Sequence, residues 1–242
     1  MKIFFGNWKM TLQDDAAVAL AAEVAEAAGD YSGLEIAVAP SFTALTAVAE
    51  AIHGSGVDLG AQDSFWEEKG AWTGEVSPVN LKALGCRYVL LGHSERRTLG
   101  ETDEVVAKKV AAALKAGLTP VLCLGETKAE KDAGERDAVV RRQLTTVLAA
   151  IAGLSDIEFL VAYEPRWAIG TGVACLPVDA AEVHRLIKSL APEGTRVLYG
   201  GSVDPTNVAS FTALPEVDGV LVGGASTVAD KVRAMLTAMS KV

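Results

Sequence analysis

Disulfide chemistry is the first thing this chain is short of. Its 242 residues hold three cysteines, Cys86, Cys123 and Cys175, odd in number and widely spaced. That argues against a disulfide framework and against the close spacing of a zinc site; reduced thiols and a cytoplasmic setting are expected instead. Long apolar runs are also missing. The opening MKIFFGNWKM breaks at Gly6-Asn7, and no later run approaches the roughly 18 residues that would span a bilayer, so neither an export leader nor a membrane segment is expected. Positive charge is in deficit, with 22 Lys and Arg against 31 Asp and Glu, a net charge of −9. No basic cluster is long enough to follow a phosphodiester backbone, which removes nucleic acid as a partner. No linker, low-complexity tract or composition break divides the chain, and half of its residues are apolar, enough for a full core.

Eight short segments rich in branched and aromatic residues recur along it: KIFFGNW, EIAVAP, VDLGAQ, RYVLLGH, LTPVLCLG, IEFLVAYE, TRVLYGG and DGVLVGG. Each reads as a buried strand. Between them run stretches of helical spacing, among them residues 14–30, 104–117, 137–153 and 180–191. Ser77-Pro78 and Asp204-Pro205 pair a capping side chain with proline, and Gly29, Gly117 and Gly153 follow last turns. Alternation of strand and helix implies a parallel sheet covered by helices, and near-continuous apolar strands imply burial on both faces. Eight such units over residues 1–242 point to an α/β fold, a single-domain eight-stranded parallel (β/α) barrel, with an open doubly wound sheet as the alternative.

Polar residues gather at the strand finishes: Asn7, Lys9, Gln62, His93, Glu126, Glu164 and Ser202, then Gly223-Gly224. In a parallel barrel these ends meet on one rim, where that architecture builds its active sites, and a convergent polar rim needs a cause other than stability. Three turns, Gly170-Thr171-Gly172, Gly200-Gly201-Ser202 and Gly223-Gly224-Ala225-Ser226, expose backbone amides at adjacent strand ends and suit a small phosphorylated ligand. His93 precedes a polar stretch that begins a helix, and amides there favour a neutral imidazole able to donate to a carbonyl oxygen. Lys9 supplies a fixed cation. A carboxylate base at Glu164, a neutral donor, a cation and a phosphate cradle form a set for taking a proton beside a carbonyl and stabilising the enediolate. His53 and His184, within helical stretches, read as structural.

Together NWKM, GHSERR, AYEPRWAIGTG, YGGSV and GVLVGGAS resemble the triosephosphate isomerase family in order, spacing and total length, over the whole chain. The resemblance implies interconversion of dihydroxyacetone phosphate and glyceraldehyde 3-phosphate, a step of glycolysis and gluconeogenesis, with no metal or organic cofactor. It assigns Glu164 as the base, His93 as the electrophile and Lys9 as the stabilising charge. Asn7 matches the substrate-contacting asparagine; Gly170, Ser202, Gly223 and Gly224 match phosphate-binding positions, and Glu95 matches a supporting residue. Residues 165–175 match a mobile lid. Residues 63–78, with Phe65, Trp66 and Trp72, match a loop that docks into the partner of a homodimer, where Thr73 reaches the partner's site.

The chain departs from that pattern at Asp63, Trp72, Arg166, Val173 and Cys175, in the arm and the lid rather than at the chemistry. Arg166 is expected to point to solvent or to pair with a carboxylate outside the site, since a cation against Glu164 would weaken it as a base. Two other readings stay open: another sugar-phosphate isomerase, epimerase or aldolase, for which Lys9 is the evident Schiff-base candidate, and a catalytically silent barrel that binds phosphate compounds.

Overall fold

The computed structural model describes residues 1–155, 157–169 and 174–242. Strands and helices alternate as β1 (Lys2–Asn7), α1 (Asp14–Ala28), β2 (Leu34–Ala39), α2 (Leu45–Ala51), β3 (Val57–Ala61), α3 (Pro78–Ala83), β4 (Tyr88–Leu91), α4 (Ser94–Thr98) and α5 (Asp103–Lys115). They continue as β5 (Thr119–Leu124), α6 (Lys128–Asp132), α7 (Arg136–Ile151), β6 (Leu160–Tyr163), α8 (Pro177–Leu190), β7 (Arg196–Tyr199), α9 (Val208–Thr212), β8 (Gly219–Val222) and α10 (Ala229–Met239). All eight strands are parallel, and β1 pairs with both β2 and β8, which closes the barrel. The closed eight-stranded barrel is therefore the architecture, and the open sheet is not.

Two apolar layers hold it. Ile3, Phe5, Ala37, Ala39, Tyr88, Leu90, Val121, Cys123, Leu160, Ala162, Leu198 and Leu221 fill the barrel interior, whereas their strand neighbours, such as Phe4, Val38, Val161 and Val220, pack outward under the helices. The period of two along each strand decides what reaches the rim. Ile3 and Phe5 point inward, so Asn7 does too; Leu160 and Ala162 point inward, so Glu164 follows. The site is thus aimed by the same alternation that builds the core.

Local signals hold with three shifts. Ser77 caps α3, its hydroxyl accepting from the Val79 amide at 3.2 Å with Pro78 in the first turn. Asp204-Pro205 does not open a helix directly: the Asp204 carboxylate accepts from the Thr206 amide at 2.7 Å, and α9 starts only at Val208, after that turn. β6 begins at Leu160, later than the apolar pattern from Ile157 implies. His53 lies beyond α2, while His184 sits inside α8 as expected. No helix among the described residues is long and apolar enough to cross a membrane.

Candidate active site

Glu164 sits one residue past β6 and is only 2% exposed. The chain around it has been cleared of side chains. A Cβ on Gly200 would stand 2.9 Å from Glu164 Cγ, and one on Gly125, whose φ is +157°, would stand 1.9 Å from the Glu164 carbonyl oxygen. Its carboxylate is held at both oxygens: the Ser94 amide donates to Oε2 at 2.8 Å, and His93 Nε2 lies 3.1 Å from Oε1.

His93 caps α4, and its Nδ1 accepts from the Glu95 amide at 3.2 Å. A ring nitrogen that accepts a backbone N–H carries no proton of its own, so the imidazole proton belongs on Nε2, facing Glu164. The Glu95 carboxylate does not compete. Its Oε2 is 3.6 Å from Nδ1, too far for a hydrogen bond, and its Oε1 is taken by Lys9 Nζ at 2.6 Å.

Lys9 is the one non-glycine residue at positive φ, +51°, among the described residues. That left-handed backbone costs on the order of 1–2 kcal/mol for a lysine. The surroundings enforce it: the Lys9 amide donates to Asn7 Oδ1 at 3.1 Å, and Gln62 Nε2 donates to the Lys9 carbonyl at 2.8 Å. Strain here aims a cation into the cavity.

Asn7, Lys9, His93, Glu164, Ser202, Gly223 and Gly224 all line a single cavity of about 230 Å³. The turns after β7 and β8, Gly200-Gly201-Ser202 and Gly223-Gly224-Ala225, also line it, with Gly223 close enough to Lys9 that an added Cβ would meet Lys9 Cε at 3.2 Å. Ser202 Oγ donates to the Ala168 carbonyl at 2.6 Å, tying the turn after β7 to the segment after Glu164. Glu95 stands outside the cavity and acts on it through Lys9. Thr73 is exposed on its own arm and joins none of these residues within one chain. The whole Gly170-Thr171-Gly172 turn lies outside the described residues, as does Val173.

Several contacts were not legible in the sequence, although it marks Glu126 as a polar strand end and Cys175 as a departure from the family pattern. Glu126, fully buried, accepts from Trp167 Nε1 at 2.7 Å and from the Tyr163 hydroxyl at 3.2 Å, and Lys131 lies over the Trp167 ring at 3.2 Å from its centroid. The Cys175 amide donates to the Tyr199 hydroxyl at 3.2 Å. Ser94 contributes a backbone amide, which no side-chain pattern announces. Burial pushes the Cys86 thiol up to about 12 and the Cys175 thiol to about 11. For Cys123, inside the barrel, burial and then the neighbouring Glu164 charge push the thiol well up. None of the three is a poised nucleophile.

Among the described residues no group of three or more His, Cys, Asp and Glu side chains is placed to hold a metal ion. Among the described residues Arg166 makes no ion pair with Glu164, as expected, and none with another carboxylate; its Nη2 donates to Thr98 Oγ1 at 3.0 Å, in place of the solvent or outside carboxylate that the sequence leads one to expect.

Fold and rim define a class: a closed parallel (β/α) barrel carrying a carboxylate, an imidazole and a lysine against glycine turns at the strand ends. Comparison with known proteins narrows the class. The family model described as triosephosphate isomerase matches residues 2–239. Proteins named triosephosphate isomerase are similar to the chain throughout: that of Pelobacter propionicus is 46% identical over 230 residues, covering 91% of this chain and 92% of its own. That of Symbiobacterium thermophilum is 49% identical over 233 residues, covering 93% and 91%. The chain belongs to the triosephosphate isomerase family.

Proposed function

We propose that this protein interconverts dihydroxyacetone phosphate and D-glyceraldehyde 3-phosphate through an enediolate. The observation that carries the reading is the meeting of Glu164, His93 Nε2 and Lys9 in one small cavity walled by glycine turns. Glu164 takes the proton from the hydroxyl-bearing carbon, and the electron pair moves onto the carbonyl oxygen, which accepts a hydrogen bond from His93 Nε2–H. Lys9 stabilises the negative charge that develops there. The hydroxyl proton passes to the former carbonyl oxygen by way of His93, so that the new carbonyl forms at the first carbon, and returning the abstracted proton to the former carbonyl carbon completes the exchange. To reach substrate, Glu164 leaves the Ser94 amide and His93 Nε2, so bound substrate must replace those interactions. Asn7 contacts substrate; Ser202, Gly223, Gly224 and Gly170 hold the phosphate.

Residues 165–175 serve as the lid that excludes water from the enediolate; the contacts of Trp167 with Glu126, of Ala168 with Ser202 and of Cys175 with Tyr199 support that reading. Residues 63–78 serve as the arm of a homodimer. Phe65 stacks on Trp66 and Trp72 with centroids 3.9 and 5.0 Å away, yet Trp72 remains 48% exposed and Met10, in a groove beside the site, 94% exposed. Apolar groups left in water on both arm and groove suit a second copy of the chain, with Thr73 entering the partner's site. The setting is the cytoplasm, with a triose phosphate as the small-molecule partner and no cofactor.

The isomerase reading is tested by turnover in deuterated water: the product gains deuterium at the carbon next to the carbonyl if Glu164 shuttles the proton. Isomerisation without any label, or a borohydride-trapped adduct at Lys9, contradicts it. Sedimentation that finds a fully active monomer at nanomolar concentration contradicts the dimer.

A further inference from the structure

An arginine two residues after a base is a hazard unless something else occupies it, because a guanidinium stays charged throughout the working pH range. In this chain the backbone turns at residues 166–169, and the Arg166 amide donates to the Glu126 carbonyl at 3.0 Å. The side chain runs away from Glu164 to α4, where Nη2 donates to Thr98 Oγ1 at 3.0 Å. The Thr98 hydroxyl donates onward to the Ser94 carbonyl at 2.9 Å, so it acts as acceptor and donor at once. Ser94 is the residue whose amide holds Glu164 Oε2 at 2.8 Å. A closed path therefore runs from Glu164 along the chain to Arg166, across to Thr98, and back through the first turn of α4 to Glu164. None of its links is a catalytic contact. An aliphatic side chain at 166 has no donor to close it.

We propose that Arg166 is a positioning residue: by donating to Thr98 it fastens the segment that follows Glu164 to the short helix whose first amide holds Glu164, so that the seat of that segment and the resting seat from which the base moves to substrate are set together. The coupling itself is independent of what the site catalyses; only its kinetic consequence rests on the isomerase reading. A half-exposed hydrogen bond of this kind shifts a local equilibrium by about three- to tenfold. The base moves to substrate from this resting seat, so loosening the seat acts on the step after substrate is bound, lowering kcat and leaving KM nearly unchanged.

The test compares the full-length protein with Arg166→Met, Thr98→Val, the double variant and Thr98→Ser. It follows hydrogen exchange at the Arg166 and Ala168 amides, both hydrogen-bonded in this segment, and isomerase kinetics. The expected result is exchange about three- to tenfold faster in each of the first two variants, no faster in the double variant, and unchanged in Thr98→Ser. The kcat falls by a similar factor, KM moves less than twofold, and the melting temperature stays within a few degrees. Additive effects in the double variant, or wild-type exchange in Thr98→Val, overturn the proposal. If the wild type does not isomerise triose phosphates but the exchange pattern holds, the catalytic reading fails and the coupling stands.

Discussion

Glu164 shows how a single residue's role is written mostly by its neighbours. A carboxylate closing a buried strand is visible in the sequence, and period-two counting from Leu160 and Ala162 aims it inward. Less visible is that Gly200 leaves room for its methylenes, since a Cβ there would come within 2.9 Å of Cγ. Gly200→Ala is therefore expected to displace the carboxylate by several tenths of an ångström and to lower kcat by up to about 10²-fold, because misplacing a base by about an ångström costs that much. The melting temperature should move by only a few degrees. Wild-type turnover in this variant would mean that the base is not confined from that side. The Ser94 amide escapes any reading of side chains for a plain reason: a backbone donor exists at every residue but proline, and only the fold says which one points at the base.

At the scale of elements, the segments that follow β3 and β6 are held by charged side chains that their own sequences do not reveal. Asp63, at the root of the arm, pairs with Lys109 of α5 at 2.7 Å and with Arg96 of α4 at 3.1 Å, and Lys109 also reaches Glu101 at 2.5 Å. Lys109 is 2% exposed, and the two carboxylates that face it offset the cost of burying its ammonium group. Burial pushes the Asp63 carboxyl up, with Lys109 opposing it. Lys109→Met leaves Asp63 and Glu101 with only the part-exposed Arg96 between them, at 3.1 and 2.9 Å, and is expected to destabilise the fold by about 3–5 kcal/mol in denaturant titration. A loss below 1 kcal/mol would show that water replaces the lysine at no cost. Composition marks the aromatics of residues 63–78, and turn chemistry marks Gly170 and Gly172, which lie outside the described residues. Glu126 was legible only as a polar strand end. Its work, receiving Trp167 and Tyr163, joins residues from two strands and a loop, which no local spacing encodes.

For the molecule as a whole, the barrel was readable because one signal repeats eight times and a parallel sheet of eight units has few ways to bury both faces. The docking role proposed for residues 63–78 was not, since a docking surface looks the same in sequence as any exposed aromatic. Response to acid also belongs to this scale. His184 is fully buried in α8, its Nδ1 3.3 Å from the Glu216 carbonyl and its ring against Tyr163, and burial lowers it from 6.5 to about 4. The unfolded chain takes up this proton below about 6.5 and the folded chain only near 4, so stability is full above 6.5 and falls as the pH drops through that window. Between pH 7 and pH 5 the loss is about 2 kcal/mol, absent in His184→Gln. A wild type equally stable at both values would contradict the assignment. Glu35 adds to acid sensitivity lower down. Burial raises it, but hydrogen bonds from Arg196 and Tyr88 and the charges of Arg196 and Arg87 outweigh that and leave it below the usual carboxylate value, so its stabilisation is lost below about 4.5. Asp58 and Asp63, raised by burial, work in the opposite sense. The central claim remains that Glu164 moves the proton, and the measurement that tests it most directly is a coupled isomerase assay of the wild type beside Glu164→Gln, which keeps the shape of the side chain and removes the base. A fall in kcat of about 10²-fold or more, in a variant that melts like the wild type, is the result expected of a positioned general base; near-equal activity in the two proteins would contradict the account.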